Sequence, residues 1–197
     1  MDKIKSENAR RQWAARRKER SSHWQIEDGT VHISMTRGLE ALIDFDDFER
    51  VRLYTWVPRF SHTRKSDGVS VYYAEAVVPN ETGTEKIFLH NLVMPPTDGM
   101  RVDHRDRDGL NCRKGNLRFG TESQNSANKS SVRTIRKYRG VVKDNTSKNW
   151  IAKIMVNGKY ICKCGLPTAE AAARAYNDLA LSHFGEFAML NTFSGVV

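Results

Sequence analysis

The sequence predicts an α+β fold: a small N-terminal sheet, a strand–loop–helix unit after it, and a three-stranded antiparallel sheet packed on one helix. Three observations carry this. Short runs rich in β-branched and aromatic residues recur between Thr30 and Met94. Thr121-Glu122-Ser123-Gln124 has the form of a capping box and marks a helix start. Beyond residue 137, strand-like runs flank Asn157-Gly158, a strong type I′ hairpin signal, and Pro167-Thr168-Ala169-Glu170 then opens a helix.

Taken in order, residues 1–28 form a basic arm or helix. Lys3 to Trp24 mixes basic residues with helix formers and contains no Pro or Gly. Such an arm can touch phosphates or fringe the fold as a solvated tail. The first folded region spans 29–128. Its expected strands are Val31–Met35, Ala41–Asp44, Val71–Val78 and Lys86–His90, with a helix start among the acids of Asp44–Glu49. Trp56, just ahead of Pro58, reads as a core anchor. Residues 129–136 read as a polar, basic linker.

The last region, 137–193, has strands at Tyr138–Lys143, Asn149–Val156 and Lys159–Cys164, and a helix from Thr168 as cap to about Phe184, where Gly185 can end it. Alternation turns Trp150, Ala152, Ile154, Cys162 and Cys164 toward the helix. It turns Ile151, Lys153, Met155, Ile161 and Lys163 outward, so the two cysteines are expected as buried neutral thiols. A short tail, 194–197, follows.

Composition sets bounds on function. The chain has 197 residues, is 39% hydrophobic and carries a net charge of +9. No apolar run approaches the length that spans a bilayer. The charged N-terminus lacks the apolar block of a secretory signal, so a cytoplasmic protein is expected. Three cysteines fit reduced thiols with no disulfide partner. Between Lys129 and Lys163 there are ten Lys or Arg and one acid, Asp144, which implies a polyanionic partner, most commonly nucleic acid.

Candidate chemistry is concentrated in Val102–Lys129. Asp103 and His104 are adjacent, Asn116 lies twelve residues past the His, and Asn125 twenty-two past the Asp. If Arg101 to His104 is a strand, its two last side chains face opposite sides and can serve different partners. A helix opening at Thr121 places Asn125 about one turn inside it. Asp103 and Asn125 can then meet as hard oxygen donors suited to a magnesium-like ion. A zinc site of His90, His104 and Cys112 fails on spacing, because structural zinc ligands come as close pairs of N or S donors. Zinc is therefore not expected, and Cys112 reads as an unpaired loop thiol.

The pattern Val102-Asp103-His104, Gly115-Asn116-Leu117-Arg118 and Ser123-Gln124-Asn125-Ser126-Ala127-Asn128 resembles an HNH nuclease motif of the ββα-metal type, here over 87–128. Its order and spacing are similar to the phage and intron homing-endonuclease branch. The resemblance implies an endonuclease acting on double-stranded DNA with Mg²⁺ or Mn²⁺, phage-encoded and working in a host cytoplasm. By position, Asp103 and Asn125 would ligate the ion, His104 would be the general base and Asn116 would brace the loop. Leu89-His90-Asn91-Leu92 is similar to a Leu-His-Arg-Leu-like segment of the family, with Asn91 in place of the usual Arg. His90 is thus a candidate for a contact to the scissile phosphate, or a structural histidine.

Residues 137–191 resemble the plant ethylene-response-factor (APETALA-type) DNA-binding domain through Tyr138-Arg139-Gly140-Val141, Trp150, Gly158-Lys159, Ala171–Tyr176 and Gly185 to Asn191. That resemblance implies a sheet laid on DNA. Val142, Ile151, Met155 and Ile161 stand where the plant domains carry Arg or Trp, so phosphate anchoring is favoured over base readout. Candidate DNA contacts are Arg118, Arg136, Arg139, Lys143, Lys153 and Lys163. The alternative is a non-catalytic DNA-binding regulator with a vestigial nuclease site; an RNA-cutting nuclease is also compatible with the motif.

Overall fold

Val31 and Ile33 alternate with polar neighbours, and in this computed structural model both are fully buried while the residues between them are not. The structure describes residues 23–64, 67–80, 83–129 and 137–193. Helices and small antiparallel sheets mix along the chain, the α+β class expected. Among the described residues no helix is long and apolar enough to cross a membrane. The chain divides into two compact units. Among the described residues, one draws on those within Met1–Ser61, Tyr72–Pro95 and Asp108–Leu117, and the other on those within His62–Val71, Pro96–Arg107 and Arg118–Val197.

The first unit contains a sheet of β1 (Trp24–Glu27), β2 (Thr30–Ser34) and β3 (Glu40–Asp44). Pairing Val31 with Ile43 and Ile33 with Ala41 puts four fully buried residues on one face. β1 replaces the end of the expected arm. Asp28 and Gly29 both take positive φ, so a tight turn folds β1 onto β2. The rest of that arm, residues 1–22, lies outside the described residues. After a 3₁₀ turn at Phe45–Asp47, α1 (Phe48–Val51) is followed by Trp56, which is buried and donates its indole N–H to the Val51 carbonyl at 3.0 Å.

A second sheet has the order β4 (Val57–Thr63), β5 (Ser70–Asn80), β6 (Gly83–Phe88). β4 was not expected from the sequence. Leu89 and His90, read as strand, instead begin the short helix α2 (Leu89–Val93). The segment 108–117 is tied to β3 in the same unit: Leu42 donates to the Leu110 carbonyl at 2.9 Å, and Cys112 donates to the Leu42 carbonyl at 2.8 Å. The acids near α1 anchor it further. Asp44 accepts the Lys114 backbone N–H at 2.7 Å, and the Lys114 ammonium lies 3.3 Å from buried Asp47.

The second unit holds β7 (Arg101–His104), which pairs with β8 (Leu117–Gly120), then α3 (Glu122–Asn128). It also holds the sheet β11–β10–β9, formed by β9 (Val141–Lys143), β10 (Trp150–Val156) and β11 (Lys159–Leu166), and α4 (Ala169–Phe184). The Thr168 hydroxyl caps α4 by accepting from Ala171 N, and Gly185 ends it at φ 51°. Small residues of α4, Ala172, Ala173, Ala175 and Ala180, let it lie close on the sheet. Its core joins Ala152, Ile154, Tyr176, Phe184 and Phe187 to Ala127 of α3. The expected linker is described only at Lys129, and the tail lies outside the described residues.

The faces of β11 differ from expectation. Asn157 and Gly158 both have positive φ, giving a two-residue turn that pairs Val156 with Lys159 and hence Ile154 with Ile161. Ile161 therefore packs on the core, Cys162 lies opposite Lys153, and Cys162 and Cys164 are exposed rather than buried. A one-residue slip in register reverses every face of a strand.

Candidate active site

β7 delivers Asp103, half-buried, and His104, buried, from consecutive positions. Asp103 is held through one oxygen. Its Oδ2 accepts from Arg118 Nε at 3.0 Å, Arg118 Nη2 at 2.9 Å and Asn128 Nδ2 at 2.9 Å. Among the described residues, every hydrogen bond to this carboxylate takes Oδ2, which leaves Oδ1 for another partner. Asn128 also donates to the His104 carbonyl at 2.9 Å, so one amide steadies both residues of the pair.

Asn125 enters from α3, which packs on β7. The capping box fixes where this helix starts. Thr121 Oγ accepts from Gln124 N at 3.3 Å and Gln124 Oε1 accepts from Thr121 N at 2.8 Å. Asn125 Oδ1 is buried and has no hydrogen-bond partner among the described residues. An orphaned buried acceptor costs about 1–3 kcal/mol, so it marks a place where a positive group is wanted. Gly120 makes room for it: a Cβ there would lie 2.5 Å from Asn125 Oδ1 and 2.7 Å from the Phe187 ring. A carboxylate and a carboxamide, both hard oxygen donors, fit a magnesium-class ion.

Of the other expected site residues, two lie in the first unit. Asn116 Nδ2 donates to the Asn111 carbonyl at 2.7 Å, within its own loop. His90 stacks on Phe88, with ring centroids 5.4 Å apart, and meets Tyr73 edge-on at 5.5 Å. In this loop Gly109 is required by close packing, since a Cβ would meet the Tyr72 carbonyl at 2.4 Å.

Two expected DNA contacts are committed elsewhere. Arg118 is buried, and besides Asp103 it donates to the Glu186 carbonyl at 2.9 Å and lies 3.7 Å from the centre of the Phe187 ring. These contacts occupy both edges and one face of the guanidinium. Arg139 donates to the Tyr176 hydroxyl at 2.7 Å and to the carbonyls of Lys129 and Ser126. Lys143 and Lys163 are exposed; Lys153 is half-buried with its ammonium 3.6 Å from the Tyr160 ring centre. Arg136 lies outside the described residues. Together α3 and the C-terminal module line an open cleft of about 580 Å³ that includes Ser123, Ser126, Lys153, Met155 and Tyr176.

Sequence reasoning missed Asn128, Gly120, Glu186 and Phe187. Asn128 closes the quoted motif and could have been weighed as a brace for Asp103. Glu186 also pairs with Arg105, and this contact holds its carboxyl below the usual carboxylate range.

The HNH endonuclease family profile matches residues 95–127, from the approach to β7 through most of α3. An uncharacterized HNH endonuclease of Acanthamoeba polyphaga mimivirus is 31% identical over 176 residues, covering 84% of this chain and 83% of the relative. The chain belongs to the HNH endonuclease family. No solved structure matches it. Membership makes the chain a nuclease acting on nucleic acid, and the matched stretch of this HNH endonuclease contains Asp103, His104, Asn116, Arg118, Gly120 and Asn125.

Proposed function

We propose that this HNH endonuclease hydrolyses phosphodiester bonds of double-stranded DNA with one divalent ion, Mg²⁺ or Mn²⁺, held by Asp103 and Asn125. The observation that carries this reading is the buried, unpartnered Oδ1 of Asn125, on a helix packed against the strand of Asp103, whose own Oδ2 is already taken. When bound, the ion supplies positive charge against the phosphate and the leaving oxygen. His104 takes a proton from the water that attacks phosphorus, the general-base role that a neutral imidazole can fill. Asn116 braces the loop from within, in keeping with its bond to Asn111. His90 supports the site as a structural histidine or touches the scissile phosphate.

The C-terminal module grips the flanking duplex, as its resemblance to the plant ethylene-response-factor domain implies, with Lys153, on the sheet face turned away from Ala152, against phosphates. The spacing of Asp103, His104, Asn116 and Asn125 supports the phage homing-type branch, and a viral relative accords with it. A plasmid-nicking assay with Mg²⁺ and with Mn²⁺ tests the assignment. His104→Ala is expected to slow cutting at least about 100-fold, the lower end of what a general base contributes, and Asp103→Ala to slow it through loss of the ion. Cutting by His104→Ala at the parent rate removes His104 as base, and preference for an RNA duplex removes DNA as substrate.

A further inference from the structure

Arg118 reads as a phosphate contact in sequence, yet it is 7% exposed and bound on three sides. Nε and Nη2 hold Asp103 Oδ2, Nη1 donates to the Glu186 carbonyl, and the Phe187 ring covers its face at 3.7 Å. The Glu186 carboxylate lies 3.6 Å from Arg118 Nη1 and also pairs with Arg105, the residue after His104. Both Glu186 and Phe187 belong to the 3₁₀ turn Gly185–Phe187 that follows α4. The same Phe187 ring stands at the position a Gly120 Cβ would fill, beside Asn125 Oδ1. One turn of the C-terminal module thus reaches the supports of both proposed ion-holding residues.

We infer that Arg118, Glu186 and Phe187 are positioning residues of the nuclease reaction, and that through them the C-terminal module sets the orientation of Asp103 as well as gripping DNA. This rests on the nuclease reading above. A carboxylate held only through Oδ2 presents Oδ1 in one direction; without Arg118 it rotates about two side-chain torsions and presents neither oxygen reliably. Partners that orient a metal-binding group commonly change metal affinity by about 10–100-fold when removed. The guanidinium is itself oriented by a carbonyl, a carboxylate and a ring, so the effect extends to residues that touch neither Asp103 nor DNA.

The test uses the full chain with Glu186→Ala, Phe187→Leu and Arg118→Ala, read in two ways. Calorimetric titration with Mn²⁺ in the absence of DNA is expected to show affinity weakened by about 10–100-fold in Phe187→Leu and Arg118→Ala, and by less in Glu186→Ala, whose backbone carbonyl remains. In the nicking assay kcat falls with KM for DNA unchanged, and methylguanidinium restores part of the activity of Arg118→Ala but none to Asp103→Ala. Parent Mn²⁺ affinity and parent kcat in Phe187→Leu and Glu186→Ala overturn the inference. So does a raised KM at parent kcat, which would make these residues DNA contacts. If Arg118→Ala does not fold, the two milder variants decide. If the parent binds Mn²⁺ through Asp103 but cuts nothing, the nuclease reading fails while the titration still judges the positioning role.

Discussion

In the β7–β8–α3 segment polar groups are buried beside Leu117 and Ala127: His104, Arg118 and Asn128, near the half-buried Asp103. In the adjoining sheet and α4 the buried groups are apolar or aromatic: Ala152, Ile154, Ala172, Ala175, Tyr176, Ala180 and Phe184. Hydrogen bonds give directed, ångström-scale placement but little net stability, about 0.5–1.5 kcal/mol each, whereas apolar burial gives stability with little direction. The reactive segment has the first and borrows the second, through Ala127 and Phe187 in the shared core.

The largest effect is expected where that loan is withdrawn. Phe184→Ala opens a cavity in the core that Ala127 joins, and should cost about 3–5 kcal/mol in denaturant unfolding. If the division of labour is right, activity and the folded state of α3 are lost together; independent melting of the two parts would break the comparison. Gly120→Ala is next. A methyl group 2.5 Å from Asn125 Oδ1 and 2.7 Å from Phe187 forces one of them to move, at a cost of about 1–3 kcal/mol, with cutting reduced further than stability alone explains. Gly115→Ala, which meets nothing within 4 Å, is the control and should stay within about 0.5 kcal/mol.

A smaller, pH-dependent effect belongs to Glu186. Its carboxyl is held below the usual range, first by the Arg105 hydrogen bond, so its contribution is present above the ordinary carboxylate pKa and is lost as pH falls through the lowered one. The melting temperature of Glu186→Gln should lie below the parent's at neutral pH and converge on it in acid; a gap that persists in acid would mean the charge is irrelevant. Smallest of all is Cys162→Ser, expected within about 0.5 kcal/mol because the thiol is exposed. Cys162 and Cys164 should label in the native state while buried Cys112 labels only on unfolding, and protection of Cys162 would contradict the register of β11.

What could be read beforehand was local chemistry with a fixed offset. The Thr121 capping box, the Thr168 cap, the Gly185 stop and the Asn157-Gly158 turn each involve groups within a few residues, and each stands as expected. Asp28-Gly29 carried the same hairpin signal and would have given β1, had it been weighed against the basic composition of the arm. The faces of β11 were also within reach, since a two-residue turn pairs Val156 with Lys159 and so fixes Ile161 inward. Arg118 was not. Its burial depends on Glu186, 68 residues further on, and no periodicity links the two. The motif includes Arg118 and Asn128, which hold Asp103, while Glu186 and Phe187, which hold Arg118, come from chain that the motif does not include.

Gly120 leaves one hydrogen where any other residue would place a carbon against Asn125 and Phe187. A descendant retaining the aspartate, the histidine and both asparagines, but bearing a side chain at this spot, is expected to cut more slowly beneath an intact signature.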